Sequence, residues 1–205
     1  MAPPGLRALG ASALYRRATV GPAFVQARFG TARGLVRLWL SRLDGARGRF
    51  RRFEQVEWGR VRRLVFVCAG NICRSPYAEG RVRAFGFPTA SIGMSGISGQ
   101  PADPQALVTA GLLGLDLGRH VSRNIADFAA EPGDLHVALE TRQAEALSSR
   151  YAGDAAVQVT LLGLWSKPRR AHLHDPHTLS PAYFRTCFAL IDGAVATLLA
   201  KVRAG

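Results

Sequence analysis

Cysteine is scarce in this chain: three in 205 residues, at positions 68, 73 and 187. Three thiols, two of them five positions apart, cannot staple a small secreted fold, so a reducing, cytoplasmic setting is expected. No apolar run approaches the ~20 residues that cross a bilayer. Arg7, Arg16, Arg17 and Arg28 interrupt any apolar signal-peptide core near the start. Lysine is nearly missing too. Only Lys167 and Lys201 occur, so 25 of the 27 basic residues are arginine, a skew that also fits a GC-rich genome. Acidic residues number 14, which leaves a formal net charge of +13. Zinc-finger spacing and aromatic-basic interleaving are both lacking, so the charge is not assigned to nucleic acid.

The excess charge is concentrated. Residues 1–60 hold 12 arginines against three acids, whereas residues 61–205 hold 15 basic and 11 acidic side chains. The chain therefore reads as a basic N-terminal extension, residues 1–60, before a domain at residues 61–205. Met1 to Gly30 shows no steady period. From Thr31 to Leu43 a helix is expected, with Leu35, Trp39 and Leu43 repeating at four, Val36 and Leu40 beside them, and Arg33 and Arg37 on another face. Gly45, Gly48 and nearby arginines break the pattern. Two readings of the helix stay open: an amphipathic element on an anionic membrane surface, peripheral to the inner face, or a helix that packs on the domain or is partly disordered.

From Val61 the text becomes regular. Leu64–Val67 has the continuous apolar character of a buried strand. A helix is expected over Pro76–Phe85, with Ser75 as N-cap and Pro76 at its first position. Ala90–Ser95, Leu135–Leu139 and Val157–Leu162 read as further strands. Helices are expected from Asp103 to about Leu115 and over Thr141–Arg150. A last helix opens at Ser180-Pro181, with an apolar stripe at Phe184, Cys187, Phe188, Ile191, Val195, Leu198 and Val202. Alternating strands and helices imply a parallel α/β sheet covered on both faces.

The chemistry concentrates in Cys68-Ala69-Gly70-Asn71-Ile72-Cys73-Arg74-Ser75-Pro76. A strand from a parallel sheet delivers its C-terminal end to the ligand crevice. The five residues between Cys68 and Arg74 suffice to wrap a tetrahedral dianion in backbone N–H groups. Gly70 permits close approach, and Asn71 tolerates left-handed geometry. The helix that follows aims its partial positive end at the anion and favours thiolate over thiol at Cys68. Ser75 can donate to that thiolate, and Arg74 can grip two phosphoryl oxygens at once. The string reads as a cysteine-dependent phosphatase loop, with Ala69, Gly70, Asn71, Ile72, Cys73 and Ser75 around the phosphate. A phosphatase also needs an acid for the leaving group. Asp175, in an Asp-Pro turn between the fourth strand and the last helix, can reach the same crevice.

These residues resemble the signature of the low-molecular-weight protein-tyrosine phosphatases nearly letter for letter. The resemblance continues through Gly99–Pro104, His120–Arg123, Asp134-Leu135, Val159–Gly163 and Asp175-Pro176, and spans about residues 62–202. It implies a flavodoxin-like three-layer sandwich on a four-stranded parallel sheet, no cofactor or metal, and hydrolysis of protein phosphotyrosine through a phosphocysteine. It also implies that Asp175 is the general acid and that Cys68 and Cys73 can form a protective reversible disulfide.

Three departures are visible. His177 stands where family members usually place an aromatic wall for the substrate ring, Ala69 replaces a common leucine, and Leu139-Glu140 replaces Met-Asp. The serine that holds the loop asparagine in the family is either Ser91 or Ser95. Arsenate reduction on the same scaffold would need two more cysteines to relay a disulfide, and residues 74–186 contain none. A non-catalytic phosphoprotein-binding module would be marked by loss of Cys68, Arg74 or Asp175, and all three are present.

Overall fold

The structure, a computed structural model, describes residues 21–205. Residues 1–20, the first part of the Met1–Gly30 stretch that shows no steady period, lie outside the described residues.

Four strands form one all-parallel sheet: β1 (Arg63–Cys68), β2 (Thr89–Gly93), β3 (Asp134–Ala138) and β4 (Gln158–Leu161), in the order β2-β1-β3-β4. Each is joined to the next through a helix, as parallel pairing requires: α4 (Arg74–Ala84), α5 (Pro104–Leu112) and α6 (Thr141–Arg150). The final helix, α7 (Pro181–Ala204), buries the predicted stripe, except that Val202 is only partly covered. One core forms between the sheet and helices α4, α5 and α7, and a second lies on the opposite face around Val65, Val67 and Leu147. Helices α4 and α7 are locked by Tyr77 stacked on Phe188, with centroids 3.8 Å apart, and by Asp192 accepting from both Tyr77 and Arg81.

This is the expected flavodoxin-like sandwich, with shifted boundaries. Helix α4 begins at Arg74, so Ser75 is not its cap and turns its hydroxyl into the loop instead. Pro76 still sits in the first turn, where its missing N–H costs nothing. Asp103 and Ser180 do cap α5 and α7, each followed by proline. Helix α5 stops at Leu112, short of Leu115, where Gly114 takes a positive φ of 74°.

The described part of the N-terminal extension, residues 21–60, is largely helical and folded onto the sandwich. Two helices, α1 (Pro22–Phe29) and α2 (Ala32–Ala46), precede a four-residue turn, α3 (Arg51–Glu54). Helix α1 was not legible in the sequence because none of its side chains is fully buried, Val25, Ala27 and Phe29 being only half-covered. It is held by backbone instead: Thr186 and Arg170 donate to the carbonyls of Ala27 and Arg28. Around α3, Phe50 and Phe53 are fully buried in the second core, and Thr160 of β4 donates to the Phe53 carbonyl. The Arg/Gly-rich stretch that reads as a break in pattern thus carries two core residues. Burying a phenylalanine contributes roughly 2–3 kcal/mol. Phe53→Ala is expected to cost about 3–5 kcal/mol of unfolding free energy; a urea midpoint unchanged from wild type would show that the extension is not part of the cooperative fold.

Candidate active site

In this strand order the chain steps from β1 outward to β2 and then crosses back past β1 to β3, so the sheet's switch point lies between β1 and β3. Ligands bind outside the carboxyl ends of the strands at such a point. Cys68 ends β1 and Glu140 follows β3 there. The loop from Cys68 to Arg74 closes over the crevice. Its tightness depends on Gly96, where a Cβ would stand 2.5 Å from the Gly70 carbonyl oxygen.

Asn71 holds the loop in shape. It is fully buried and left-handed, at φ 56°. Its amide nitrogen donates to Ser75 Oγ at 2.9 Å and Ser91 Oγ at 2.8 Å, and its Oδ1 accepts from the Arg123 backbone at 2.8 Å. His120 Nε2 lies 2.7 Å from the Asn71 carbonyl oxygen. Ser91 is therefore the serine that reaches the asparagine; Ser95 lines the cavity instead. Two groups converge on the Cys68 sulfur: the Asn71 N–H donates to Sγ at 3.2 Å, and Ser75 Oγ lies 3.0 Å from it.

Arg74 is wholly buried. Its Nη1 donates to Glu140 Oε1 at 2.8 Å and to the Leu173 carbonyl at 2.7 Å. Its Nη2 is 2.8 Å from Asp175 Oδ2, an ion-pair contact without hydrogen-bond alignment. Among the described residues, Nε and Nη2 have no hydrogen-bond partner. They form the side-on fork of the guanidinium, the edge that takes a tetrahedral anion in bidentate fashion. Asp175 is brought there by a loop folded back on the end of β4. Arg170 and Leu173 donate backbone bonds to Gly163 and Leu139. At Gly163 a Cβ would come within 1.6 Å of the Arg170 carbonyl oxygen.

A cavity of about 270 Å³ results, lined by Cys68, Ala69, Gly70, Ile72, Cys73, Ser95, Gly96, Asp175 and His177. The sequence-predicted residues thus converge, with one distinction. Asn71 and Ser75 stand behind the loop, with their side chains on the scaffold rather than in the cavity. A buried sulfur facing the Asn71 N–H, a helix N-terminus, a forked cation and a carboxyl on that same cation can hold and cleave a phosphate monoester.

Comparison with known proteins agrees. The family described as low molecular weight phosphotyrosine protein phosphatase matches residues 63–205. This chain belongs to that family. The low molecular weight protein-tyrosine-phosphatase Wzb of Salmonella typhi is 32% identical over 132 residues, 63% of this chain and 87% of that protein. The tyrosine phosphatase Wzb from Escherichia coli K30, solved in complex with sulphate, superposes with a TM-score of 0.59 at 25% identity, covering 71% of this chain and 99% of that one. A YwlE arginine phosphatase from Geobacillus stearothermophilus shares the fold alone, with a TM-score of 0.59 at 19% identity over 69% of this chain and 93% of its own. The chain is a cysteine-dependent phosphatase, a phosphoric monoester hydrolase.

The electrostatics of the phosphatase loop are set by burial and pairing. Burial works against the Arg74 charge, but Asp175, Cys68 and Glu140 outweigh it and raise the guanidinium above its ordinary range. Burial likewise opposes ionisation of Glu140, yet Arg74 holds its carboxyl below the usual value. His172 is pushed down to about 4, chiefly by burial, so it is neutral beside this network at neutral pH. All three cysteines are free thiols. Cys187, read as core, is buried in α7, and its thiol is pushed up to about 12 by that burial.

Sequence reasoning passed over Glu140 and the Leu173 carbonyl as partners of Arg74. The Leu139-Glu140 departure was the only available signal, because a carboxylate two residues past β3 stands at the switch point. Asn71→Ala removes three side-chain bonds of about 1 kcal/mol each. It is expected to lower stability by about 2–4 kcal/mol and kcat by at least about tenfold. Retention of full kcat for p-nitrophenyl phosphate in Asn71→Ala would contradict the bracing role.

Proposed function

We propose that this phosphatase acts on phosphotyrosine in proteins, with Cys68 as nucleophile and Asp175 as general acid and base. The observation that carries the reading is the buried Arg74, bonded on one edge to the scaffold and presenting Nε and Nη2 beside the acid on the other. The Cys68 sulfur attacks phosphorus in line while the fork and the loop amides of Ala69 to Cys73 hold the equatorial oxygens. The anion at Nη2 takes over the charge that Asp175 balances, and Asp175 turns to the leaving oxygen. Once released from Arg74, the Asp175 carboxylate takes up a proton from solvent, and that proton passes to the leaving oxygen as the P–O bond breaks. Water then attacks the phosphocysteine, its proton goes to Asp175, and the P–S bond breaks. Ser75 stabilises the departing thiolate. No metal takes part, since Arg74 and the helix end neutralise the phosphoryl charge.

Ile72 and His177 supply two walls for a planar ring, which a serine phosphate would leave uncovered. Covering an aromatic ring contributes roughly 2–3 kcal/mol, about 30- to 150-fold in kcat/KM. The test compares peptides bearing phosphotyrosine, phosphoserine and phosphoarginine, together with arsenate-dependent thioredoxin oxidation. Phosphotyrosine should lead by that factor, Cys68→Ser should abolish turnover, and Asp175→Asn should slow it about 10²- to 10⁴-fold. Preference for phosphoarginine, or for arsenate, would contradict the substrate assignment.

The same enzyme is proposed to sit on an anionic membrane surface through α2. No helix among the described residues is long and apolar enough to cross a membrane. Helix α2 packs inward through Gly34, Leu38 and Ser41. Val36, Trp39, Leu40 and Leu43 lie on the other side at 57, 60, 54 and 50% exposure, spaced three, four and seven apart. Exposed Arg33, Arg37, Arg42 and Arg47 flank this stripe. An apolar stripe with arginine borders and a tryptophan suits the interface of an anionic bilayer. Because Phe50 and Phe53 are core residues, full-length variants test this better than truncation. The wild type should co-sediment with phosphatidylglycerol vesicles but not with pure phosphatidylcholine, and Trp39→Ser/Leu43→Ser should release it without loss of turnover. Failure to bind anionic vesicles would contradict the proposal.

A further inference from the structure

Three side chains of different chemistry meet at the rim of the Cys68 cavity, brought together by three separate loops. Cys73 comes from the phosphate loop, Asp103 from the cap of α5 and His177 from the turn before α7. Their sulfur, carboxylate oxygen and ring nitrogen all lie within 4.8 Å of one another. His177 Nδ1 is 3.2 Å from Asp103 Oδ2. Two ligands about 2.0–2.1 Å from a tetrahedral zinc ion stand about 3.3 Å apart, so this pair is already at ligand spacing. The other oxygen of Asp103, Oδ1, accepts from the backbone N–H groups of Gln105 and Ala106. That fixes the carboxylate with Oδ2 toward His177, the outer-shell support that ligating carboxylates have. Cys73 and His177 both border the 270 Å³ cavity, so an ion can enter from the substrate side. Among the described residues no second trio of this kind occurs.

We propose that Cys73, Asp103 and His177 bind a borderline-soft divalent cation of the Zn²⁺ class, and that its binding inhibits the phosphatase. A thiolate and an imidazole select Zn²⁺ over Mg²⁺ or Ca²⁺, which prefer all-oxygen sites. On binding, the Cys73 S–H bond breaks, the proton goes to solvent and the sulfur lone pair forms the metal bond. His177 gives up to solvent the Nδ1 proton that it donates to Asp103, holds its ring proton on Nε2 and offers the Nδ1 lone pair, so the contact between His177 and Asp103 is exchanged for two metal bonds. Water takes the fourth position, and no electron transfer is involved. Inhibition follows from two contacts. The His177 N–H donates to Asp175 Oδ1 at 3.2 Å, so pinning the histidine pins the turn that carries the acid. The ion also fixes one wall of the ring slot.

The inhibition rests on the phosphatase reading, whereas the binding does not, and the experiment separates them. Isothermal titration of Zn²⁺ into the full chain should give one site per molecule. That site should persist in Cys68→Ser and weaken at least about tenfold in Cys73→Ser, His177→Ala and Asp103→Asn, the last of which keeps a capping oxygen. With Co²⁺ as the probe, a sulfur-to-cobalt absorption band should appear in Cys68→Ser and be missing in Cys73→Ser. In wild type, Zn²⁺ but not Mg²⁺ should suppress p-nitrophenyl phosphate turnover. Binding that vanishes in Cys68→Ser and survives in Cys73→Ser would place the ion on the nucleophile and overturn the proposal, as would no binding at all.

Discussion

A single cation buried to the last atom organises this molecule. Removing a guanidinium from water is costly unless it is paired and hydrogen-bonded. Arg74 meets that demand with Glu140, the Leu173 carbonyl and Asp175, three groups from two different segments of the chain. Each is where it is because of the fold. The start of α4 supplies the arginine, the turn after β3 supplies Glu140, and the loop after β4 returns over Gly163 to supply the other two. The pairing is uneven in a useful way. The Nη1 group is committed to the scaffold, and the Nε–Nη2 edge is left for an anion.

The sheet makes this convergence unavoidable. Parallel strands present their carboxyl ends on one side, and the order β2-β1-β3-β4 opens a crevice between β1 and β3. The loop at Cys68 could not hold its curvature alone. Asn71 ties it to α4 through Ser75, to β2 through Ser91 and to the segment between α5 and β3 through Arg123. The Cys68 sulfur is therefore preorganised by a buried polar network in which each member has a partner, the condition under which such networks add rigidity. The extension belongs to the same economy of packing: Phe50 and Phe53 complete the second core, and α1 and α2 approach the acid loop, where Thr31 Oγ1 lies 3.2 Å from His174 Nε2.

Much of this was legible in the residues. A four-residue apolar run, a cysteine, a glycine, an asparagine and an arginine at fixed spacing determine the loop, because few residue types tolerate those backbone positions. Asp-Pro and Ser-Pro pairs mark helix starts by the chemistry of proline. What could not be read were contacts between segments far apart in sequence. Glu140 with Arg74, Ser91 rather than Ser95 with Asn71, and Asp103 with His177 are separated by 20 to 74 positions and leave no periodic trace. Helix α1 was missed because periodicity reports buried side chains, and its attachment is through backbone carbonyls. Helix α2 was found, but its stripe faces outward: Leu38, Gly34 and Ser41 make the contact with the body, and the larger apolar residues do not.

The proposed chemistry requires that Cys68 carry the phosphoryl group during turnover. Rapid-quench mass spectrometry of Asp175→Asn, in which release to water is slowed, tests this most directly. The account predicts a transient mass increase of one phosphoryl group on the peptide containing Cys68, appearing with the burst of leaving group and decaying as phosphate is released. Turnover with no phosphorylated cysteine at any quench time would contradict it.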